Sequence, residues 1–532
     1  MAMANKTRSV RIFHDAIHGS MQFSPICVDI INTVQFQRLR NIKQLGLCYY
    51  VYPSASHNRF EHCLGTCHLA GKMIRHLKQQ DSDLKISDED TRCVEIAGLC
   101  HDLGHAPFSH VFQEIINEYR KEKNLKKWEH EEASCKMLQQ IIDKNSCIKD
   151  KLGDKSDENI CFIKSLITGK PGDLKKPNFF YQIVNNADYN IDVDKWDYLA
   201  RDSHLLGIGT SFDHERMLKM SKVIDGKICY RDKTLKNFYD MFYSRYRLHN
   251  TVYQHKTVLL LNKLLGKALK SADEHLKIFK RVENMEEFTY FTDSILEEML
   301  KKGNEPLEHL ETIINRSFHY KGTVTDIIKG TFTSPVTDIF ELGDTEGKIL
   351  DPIEGTREDD AVQEKINIYG ESLDTPESDM QDNIQRRISG TITKKSEKKK
   401  IEGTIDVKKF DQGDGKMRWD IDGTINGKIL GTSESKRQRN IDGKINGTIE
   451  TIINSRDEES EPVIANKTDE ICIARFDYGA KEKNPLLNIP FYRIMGNKPM
   501  YFKQEELEDM LFLPKKFKME TGHCFELKKK KQ

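Results

Sequence analysis

The sequence predicts a mainly α-helical fold with a small α+β lobe near the C-terminal end and a low-complexity insertion before that lobe. Apolar residues recur three and four positions apart over most of residues 25–320, and strand-like runs are few there. After about residue 322 the composition turns to Asp, Glu, Ser, Gly and Lys with few aromatic residues. We therefore divide the chain into a helical core at 1–322, an insertion at 323–461 that we expect to be flexible, and a C-terminal lobe at 462–532.

The helical pattern is strongest in three segments. HNRFEHCLGTCHLAGKMIRHLKQQ at 57–80, the run from 239 to 265 and MEEFTYFTDSILEEMLKK at 285–302 each place apolar residues on one face of a helix. KVIDGKICYRD at 222–232 instead has an Asp-Gly turn between two short apolar runs, which predicts a hairpin.

Two near-copies lie within the insertion, IDGTINGKI at 421–429 and IDGKINGTI at 441–449. Isoleucines alternating with Asp-Gly and Asn-Gly pairs suit short hairpins that turn at those pairs. Two copies are too few for a solenoid, whose repeats must stack to bury a core. We interpret them as repeat slippage in a tolerated loop.

The overall composition excludes several classes of protein. The chain has 532 residues, of which 83 basic residues balance 83 acidic ones, so net charge gives no bulk attraction to nucleic acid or membrane. Twelve irregularly spaced cysteines favour reduced thiols over a disulfide framework. The first residues lack the apolar stretch of a signal peptide, and no apolar run reaches membrane-spanning length. We expect a protein of the nucleus or cytoplasm, neither secreted nor bound in a membrane.

The stretch LCHDLGHAPFSH at 99–110 concentrates titratable side chains. On a helix, His101, Asp102 and His105 share the face opposite Leu99 and Leu103, where a surface helix would carry Lys or Glu. We expect that helix to end at Pro107. Each histidine alone is best interpreted as a hydrogen-bonded core or surface residue. Together with His62 and a second acid they suit a divalent ion with open coordination positions.

A second group of polar residues lies in NIDVDKWDYLARDSHLLG at 190–207. Asp194 could complete the metal set, while Lys195, Arg59 and Arg245 could face phosphate oxygens. Tyr198 lies one helical turn from both Asp194 and Asp202. No GxxxxGK[ST] loop occurs, which excludes P-loop chemistry.

Four motifs together carry a resemblance to a known family: HNRFEHCLG at 57–65, LCHDLGHAPFSH at 99–110, DVDKWDYLARD at 192–202 and YQHK at 253–256. The chain resembles the HD-domain deoxynucleoside triphosphate (dNTP) triphosphohydrolases, above all the vertebrate members that join a sterile alpha motif to the HD domain. The resemblance covers about residues 10–320 and resumes near 470. The sterile alpha motif has no counterpart here, and 323–460 looks expanded.

The resemblance implies metal-dependent cleavage of dNTPs to deoxynucleoside and inorganic triphosphate, which lowers dNTP pools and restricts viral replication. One divalent transition ion (Fe, Mn or Zn) would bind at the HD site and Mg²⁺ would accompany the nucleotide phosphates. The implied metal ligands are His62, His101, Asp102 and Asp194. His110 would protonate the leaving 5′ oxygen, and His105 and His130 would hold phosphate oxygens. The implied substrate-binding residues are Gln44, Leu45, Arg59, Lys195, Tyr198, Asp202, Arg245, Tyr253 and Gln254.

One implied catalytic position departs from the family pattern. The family places an aspartate three residues after the catalytic histidine, where this chain has Gln113. An amide can orient the His110 imidazole but stabilises its charged form less well than a carboxylate does. We therefore expect reduced turnover more than lost binding.

The resemblance also implies a regulatory site between subunits, where GTP and a dNTP bind as activators and drive assembly of a homodimer into a homotetramer. Single-stranded nucleic acid is a further implied partner. The regulatory residues would be Arg11, Ile12, His14, Asn32, Gln37, Arg40, Asp213, Arg216, Arg231, Lys233, Asn237, Lys256, Arg316, His319 and Lys483. Asn32 replaces the aspartate that reads guanine, and Arg11, His14 and His319 also depart from the pattern. We expect weaker or less guanine-specific activation.

Two other functions stay open at this point. HD sites serve many phosphoesters, so the chain could be a phosphodiesterase or nuclease. It could also be a nucleotide-sensing or nucleic-acid-binding protein with weakened catalysis, for which Gln113 and the altered regulatory residues are the support. The match of Tyr198, Asp202 and Tyr253 to the family's sugar site argues against the phosphodiesterase or nuclease. The presence of all four implied metal ligands argues against a protein with weakened catalysis.

Overall fold

The computed structural model describes residues 11–172, 176–302, 307–333, 364–370, 386–393, 400–407, 418–430, 439–454, 463–466, 469–477, 484–493, 496, 498–511, 513–514 and 518–527. The chain divides into two compact units. The first contains Met1–Asn315 and Phe476–Met519, and the second contains Arg316–Arg475 and Glu520–Gln532. Residues of the expected 462–532 lobe are thus shared between the two units.

The first unit is built mainly of helices, as the sequence predicts. It opens with an antiparallel hairpin of β1 (Arg11–Asp15) and β2 (Gly19–Phe23). The helices before residue 210 are α1 (Pro25–Ile31), α2 (Val34–Gln37), α3 (Arg59–Gln80), α4 (Asp88–Cys100), α5 (His110–Glu122), α6 (His130–Lys144), α7 (Ser146–Lys151), α8 (Ser156–Thr168) and α9 (Val193–Leu205). Those after it are α10 (His214–Lys219), α11 (Leu235–Leu248), α12 (Lys256–Leu276), α13 (Met285–Thr289), α14 (Ile295–Lys302) and α15 (Leu307–Asn315).

The predicted hairpin is confirmed between α10 and α11. Strands β3 (Ser221–Ile224) and β4 (Lys227–Arg231) pair antiparallel, and the turn at Asp225 and Gly226 uses positive φ angles of 50° and 72°. An Asp-Gly pair reaches these angles readily, because glycine has no Cβ and aspartate tolerates the left-handed region.

Helix α3 is the central helix beneath the candidate site and packs against α4 and α9. It begins with a capping box, in which the Glu61 carboxylate accepts the Asn58 backbone N–H at 3.1 Å. Leu69 and Leu77 on α3 and Leu99 on α4 are fully buried. Burial of each leucine stabilises the fold by about 1.5–3 kcal/mol, so this packing holds the histidine-bearing ends of the helices in place.

The second unit contains a large antiparallel sheet. Its strands are β5 (Phe318–Thr333), β6 (Glu364–Gly370), β7 (Arg386–Thr393), β8 (Lys400–Val407), β9 (Arg418–Leu430), β10 (Arg439–Asn454), β11 (Val463–Ile464) and β12 (Glu470–Asp477). The chain then adds β13 (Phe491–Tyr492) parallel to β4, α16 (Gln504–Met510), and β14 (Lys518–Leu527) antiparallel to β5.

The interpretation of the near-copies as short hairpins is wrong. They form the middle of β9 and β10, which pair antiparallel over their length, with Asp422 opposite Asn446 and Gly427 opposite Ile441. The Asp-Gly and Asn-Gly pairs thus lie inside strands and not in turns. Pairing between the copies supplies hydrogen bonds along both strands, which outweighs the local preference of these pairs for a turn. Among the described residues, every helix is too short or too polar to cross a membrane.

Candidate active site

The turn after α4 presents His101 and Asp102. The expected end of this helix at Pro107 is wrong, because α4 ends at Cys100 and His101 is its C-terminal cap. Ser134 on α6 explains the early end, since its hydroxyl donates to the His101 carbonyl at 2.6 Å and accepts the Gly104 N–H at 2.8 Å. A Cβ at Gly104 would lie 2.1 Å from the His130 carbonyl, so only glycine allows this close approach of α6.

Four side chains bring donor atoms together at one point. The Nε2 atoms of His62 and His101 lie 3.2 Å apart. Asp194 Oδ1 lies 2.9 Å from His62 Nε2 and 3.3 Å from His101 Nε2. Asp102 places Oδ2 3.5 Å from His62 Nε2 and Oδ1 3.4 Å from His101 Nε2. Neighbouring ligands around a cation held at about 2.0–2.2 Å have such separations.

The other ring nitrogen of each histidine is held by a protein group. His62 Nδ1 lies 2.7 Å from Asp197 Oδ2, and His101 Nδ1 lies 2.8 Å from the Gly98 carbonyl oxygen. Both partners accept, so each Nδ1 donates and each Nε2 lone pair faces the shared point. Gly65 makes room for this arrangement, because a Cβ there would lie 1.8 Å from Asp197 Oδ1.

The charges at this point also fit a cation. Burial opposes ionisation of Asp102, but His101 and Arg59 hold the pKa of that carboxyl well below its usual range. Burial likewise lowers the pKa of His62, yet hydrogen bonds to Asp194 and Asp197 raise it to about 10, so a cation would displace the proton that Nε2 otherwise shares with Asp194. The site therefore favours positive charge, and its mixed imidazole and carboxylate donors fit a divalent transition ion.

Three further histidines form a cluster beside Asp102. The rings of His105 and His130 stack with centroids 4.1 Å apart, and the His110 ring meets that of His105 edge-on at 4.7 Å. Desolvation, together with Arg59 and His130, lowers the pKa of His110, although the residue as a whole is exposed. His110 is the first residue of α5 and so lies at the N-terminal end of that helix.

Gln113 has different partners from those expected. Its Nε2 donates to Glu129 Oε2 at 2.7 Å, and its Oε1 lies 2.7 Å from His130 Nδ1. Since Nε2 is the donor to Glu129, the amide oxygen accepts from His130. In the described structure Gln113 therefore orients His130 and not His110, because α5 directs position 113 towards the start of α6.

The candidate phosphate-binding cations are near the four donor atoms. Arg59 is almost fully buried, and its guanidinium forms an ion pair with Asp102. Lys195 follows Asp194 in α9 and pairs with Asp192 at 2.9 Å. Arg245 on α11 donates to the Tyr198 hydroxyl at 2.5 Å.

The candidate sugar site surrounds Asp202. The Tyr253 hydroxyl donates to Asp202 Oδ2 at 2.6 Å, and His57 Nε2 lies 2.7 Å from Oδ1. Gln44 is buried, and its side-chain oxygen has no hydrogen-bond partner among the described residues. Leu45 packs in the same apolar cluster as Tyr253, and Gln254 ends the π-helical turn at His249–Tyr253. A π-helical turn often marks a functional site.

The candidate regulatory residues lie on several elements. Arg11, Ile12 and His14 are exposed on β1, and Asn32 lines a cavity of about 460 Å³ beside Asp29, Val34 and Lys144. Gln37 accepts from Arg40 at 2.8 Å, and Asn237 exchanges hydrogen bonds with Asp213. Four more candidate regulatory residues are Arg216 on α10, Arg231 on β4, Lys233 in the next turn and Lys256 at the start of α12. Arg316 and His319 belong to the second unit, and Lys483 lies outside the described residues.

Sequence reasoning missed three residues that hold the site. Asp197 orients His62, His57 binds Asp202, and Glu129 binds Gln113. Asp197 had a usable signal, because it follows Asp194 by three positions on α9 and so shares a helix face with it. His57 and Glu129 act across distant parts of the chain, and their spacing carries no such signal.

Two known protein families match the part of the chain that carries the four donor residues and the part that follows it. The HD domain matches residues 59–202, which contain all four donor residues, and the HD associated region matches residues 212–338. The chain therefore contains an HD domain, which the HD associated region follows.

Particular relatives are similar to more than half of the chain. Deoxynucleoside triphosphate triphosphohydrolase SAMHD1 of Bos taurus is 42% identical over 338 residues, 58% of this chain and 57% of that protein. The human protein of that name is 41% identical over 337 residues, which cover 58% of this chain and 53% of that protein. The SAMHD1 homologue of Dictyostelium discoideum is 41% identical over 345 residues, which cover 63% of this chain and 65% of that protein. The chain thus spans between about half and two thirds of the length of these relatives.

Proposed function

We propose that the chain is a metal-dependent dNTP triphosphohydrolase. The observation that carries the proposal is the convergence of the four donor residues beside Arg59 and the Asp202–Tyr253 pair. Helix α9 presents Asp194, Tyr198 and Asp202 four residues apart, so that a cation site and a sugar site share one helix face. The name of the similar proteins describes the same reaction.

His62, His101, Asp102 and Asp194 would hold one divalent transition ion, Fe, Mn or Zn, because two imidazoles and two carboxylates suit all three. A divalent ion at this position lowers the pKa of bound water and polarises the phosphoryl group. Mg²⁺ would accompany the nucleotide phosphates, as it does in other nucleotide-binding sites.

The protein side chains would bind and orient the triphosphate. Arg59, Lys195 and Arg245 neutralise its charge, and His105 and His130 donate hydrogen bonds to its oxygens. Water releases a proton to solvent and attacks the α-phosphorus through its oxygen, and the bond from phosphorus to the 5′ oxygen breaks. His110 gives its proton to that oxygen. Because the surrounding protein lowers the pKa of His110, we propose that the ring gains this proton when the triphosphate enters.

The sugar would bind between Gln44 and Asp202. The buried Gln44 side-chain oxygen needs a donor, and a 3′ hydroxyl supplies one. Tyr253 is held against Asp202 by its hydroxyl, so its ring occupies the space that a ribose 2′ hydroxyl would need. The base would rest beside Leu45, with Gln254 near it.

We propose that GTP and a dNTP activate the chain through a homodimer or homotetramer, using the regulatory residues placed above. The protein would act in the nucleus or cytoplasm, where lower dNTP pools limit viral DNA synthesis. The support is the match of Gln37, Arg40 and the Asp213–Asn237 pair to the family pattern. Binding of single-stranded nucleic acid rests on the resemblance alone.

The test is incubation of the purified chain with dGTP, Mg²⁺ and Mn²⁺, with and without GTP, followed by ion-exchange chromatography. Deoxyguanosine and intact triphosphate are expected, and the double variant His101→Ala, Asp102→Ala should abolish both. The matched control is His275→Ala with Asp273→Ala, a His and Asp pair on α12 away from the donor residues, which should leave the products unchanged. Monophosphate with pyrophosphate would instead indicate another phosphohydrolase, and binding without turnover would indicate a sensor.

A further inference from the structure

Asp293, just before α14, touches two segments that carry candidate site residues. Its Oδ1 accepts the Phe108 backbone N–H at 2.7 Å, and its Oδ2 accepts the Lys43 backbone N–H at 2.8 Å. Phe108 and Lys43 are separated by 65 positions along the chain, and one carboxylate joins them. Desolvation raises the pKa of Asp293 to about 6, and the hydrogen bonds from the Lys43 and Phe108 amides oppose that rise because they stabilise the carboxylate.

The segment held by Oδ1 is strained. Phe108 and Ser109 have φ angles of 60° and 61°, and Ser109 has a ψ of −125°. Glycine adopts this combination freely, whereas steric repulsion destabilises a residue with a Cβ there by about 1–3 kcal/mol. Two consecutive residues of this kind require neighbouring contacts that keep the turn in place.

The strained turn meets the other segment at several atoms. The Ser109 hydroxyl donates to the Lys43 carbonyl oxygen at 2.7 Å and accepts from Arg59 Nε at 3.0 Å. Arg59 in turn donates to the Gln44 carbonyl oxygen at 3.2 Å. At Gly46 a Cβ would lie 2.8 Å from the Phe108 carbonyl oxygen, so the segments touch there as well.

Each segment leads directly into a residue of the proposed reaction. His110 follows Ser109 as the first residue of α5, and Gln44 follows Lys43. The spacing between the proton donor and the sugar-binding amide is thus set where Asp293 joins the two backbones.

We propose that Asp293 is a positioning residue, whose carboxylate holds the strained Phe108–Ser109 turn against Lys43 so that His110 and Gln44 face the same nucleotide. This inference rests on the proposed function for the identity of the ligand. Asp293 acts through the backbone of the two segments and touches no reacting atom.

The first test replaces Asp293 by Asn, which keeps one acceptor but turns an N–H towards the second backbone amide. With dGTP as substrate, kcat should fall on the order of 10- to 100-fold, because small displacements of reacting groups have effects of this size. Bound metal should stay unchanged. The matched control is Asp273→Asn, since Asp273 also accepts a backbone N–H, that of Phe279 at 2.8 Å, away from the site.

The second test separates strain from the loss of a hydroxyl. Ser109→Ala and Ser109→Gly both remove the hydroxyl, but only glycine removes the strain. In the Asp293→Asn background, glycine at 109 should give a higher kcat than alanine. With Asp293 intact, alanine should be at least as active as glycine. Equal behaviour of the two substitutions in both backgrounds would overturn the proposal.

Hydrogen exchange keeps the inference separate from the proposed function. The Phe108 and Lys43 amides should both be protected in the unaltered chain. Asp293→Asn, which keeps a single acceptor, should expose at least one of them while Asp273→Asn exposes neither. If the unaltered chain hydrolyses no dNTP, the proposed function fails while exchange still decides whether Asp293 holds the turn. Fast exchange of both amides in the unaltered chain, or unchanged exchange in a folded Asp293→Asn variant, contradicts the inference.

Discussion

Asp197 Oδ2 lies 2.7 Å from His62 Nδ1, and the same carboxylate reaches beyond the site to His18 at 2.6 Å and to Arg201. Arg201 also forms an ion pair with Asp15 at the end of β1. A candidate metal ligand is therefore connected to the N-terminal hairpin through one buried aspartate.

We expect Asp197→Asn to weaken metal binding by about 10- to 100-fold, as loss of such an orienting partner typically does. An amide in this position can present its N–H to His62 and favour the wrong tautomer. Metal affinity is measured by competition with a chelator. Asp188→Asn is the control, because Asp188 also accepts side-chain hydrogen bonds, from Asn178 and Gln182. Equal affinity of Asp197→Asn and the unaltered chain would refute the role of Asp197.

Gln113 and Glu129 should be coupled in their effect on turnover. Gln113→Glu alone places a second carboxylate next to Glu129, which is now 2.7 Å from the Gln113 amide nitrogen, so turnover should fall. Adding Glu129→Gln reverses that hydrogen bond and puts the carboxylate against His130. The double variant should then exceed the unaltered chain, on the order of tenfold, because a carboxylate stabilises imidazolium. Steady-state kcat of the four chains checks this, and additive effects would contradict the coupling.

Tyr253 should control the choice between deoxyribose and ribose. Tyr253→Ala opens the space beside Asp202, so the ratio of GTP to dGTP hydrolysis should rise roughly tenfold or more. Tyr253→Phe keeps the ring and loses only the hydroxyl held by Asp202, so it should keep the sugar preference while KM for dGTP rises. Both are measured by competition between the two nucleotides. An unchanged ratio in Tyr253→Ala would exclude the steric role.

Asn32→Asp should strengthen activation by GTP. A carboxylate accepts from guanine N–H groups with charge assistance, and the gain of about 1 kcal/mol lowers the activating concentration roughly fivefold. The measurement is a GTP titration of dGTP hydrolysis. As a control, activation by ATP should not become stronger, because adenine lacks the N–H groups from which the new carboxylate would accept. Activation by GTP that is equally sharp in both chains would show that Asn32 does not bind guanine.

His68 should contribute to the pH dependence of stability. Burial, followed by the charges of His18 and Lys72, lowers its pKa to about 4 in the folded chain from 6.5. Between these values the unfolded chain binds the proton and the folded chain does not. Stability present above pH 6.5 is therefore lost as the pH falls towards 4. His68→Asn should make the free energy of unfolding of chelator-treated protein fall less steeply over this range, as measured by urea denaturation. His275→Asn is the exposed control, and identical slopes would contradict the assignment.

Much of the fold followed from local patterns, because amphipathic spacing and the Asp-Gly turn act within a few residues. The mainly helical class and the hairpin at β3 and β4 are confirmed for this reason. The end of α4 did not follow, since the Ser134 hydroxyl that binds its last turn comes from another helix. The partner of Gln113 was missed for a similar cause, because Glu129 and His130 meet it only once α5 and α6 pack.

The candidate site likewise contains some residues that local sequence patterns pointed to and others that only the packed structure reveals. His101, Asp102 and Asp194 are in segments whose composition alone draws attention, and the structure brings their donor atoms together with that of His62. No role for Asp293 or His57 could be predicted from the sequence, because each acts on groups far away in the chain through a single hydrogen-bonding side chain.

The pairing of β9 with β10 has a consequence for how this region can change over generations. Both near-copies have isoleucine at every fourth position, and each isoleucine at 421 and 425 stands opposite a glycine, at 447 and 443. A shift of four residues would again set isoleucine opposite glycine, and a register this weakly specified tolerates displacement. Gain or loss of a four-residue unit would therefore lengthen or shorten a strand without creating a new pairing pattern. Such a segment can change in length without any change to the histidines and aspartates of the candidate site, which belong to the other unit.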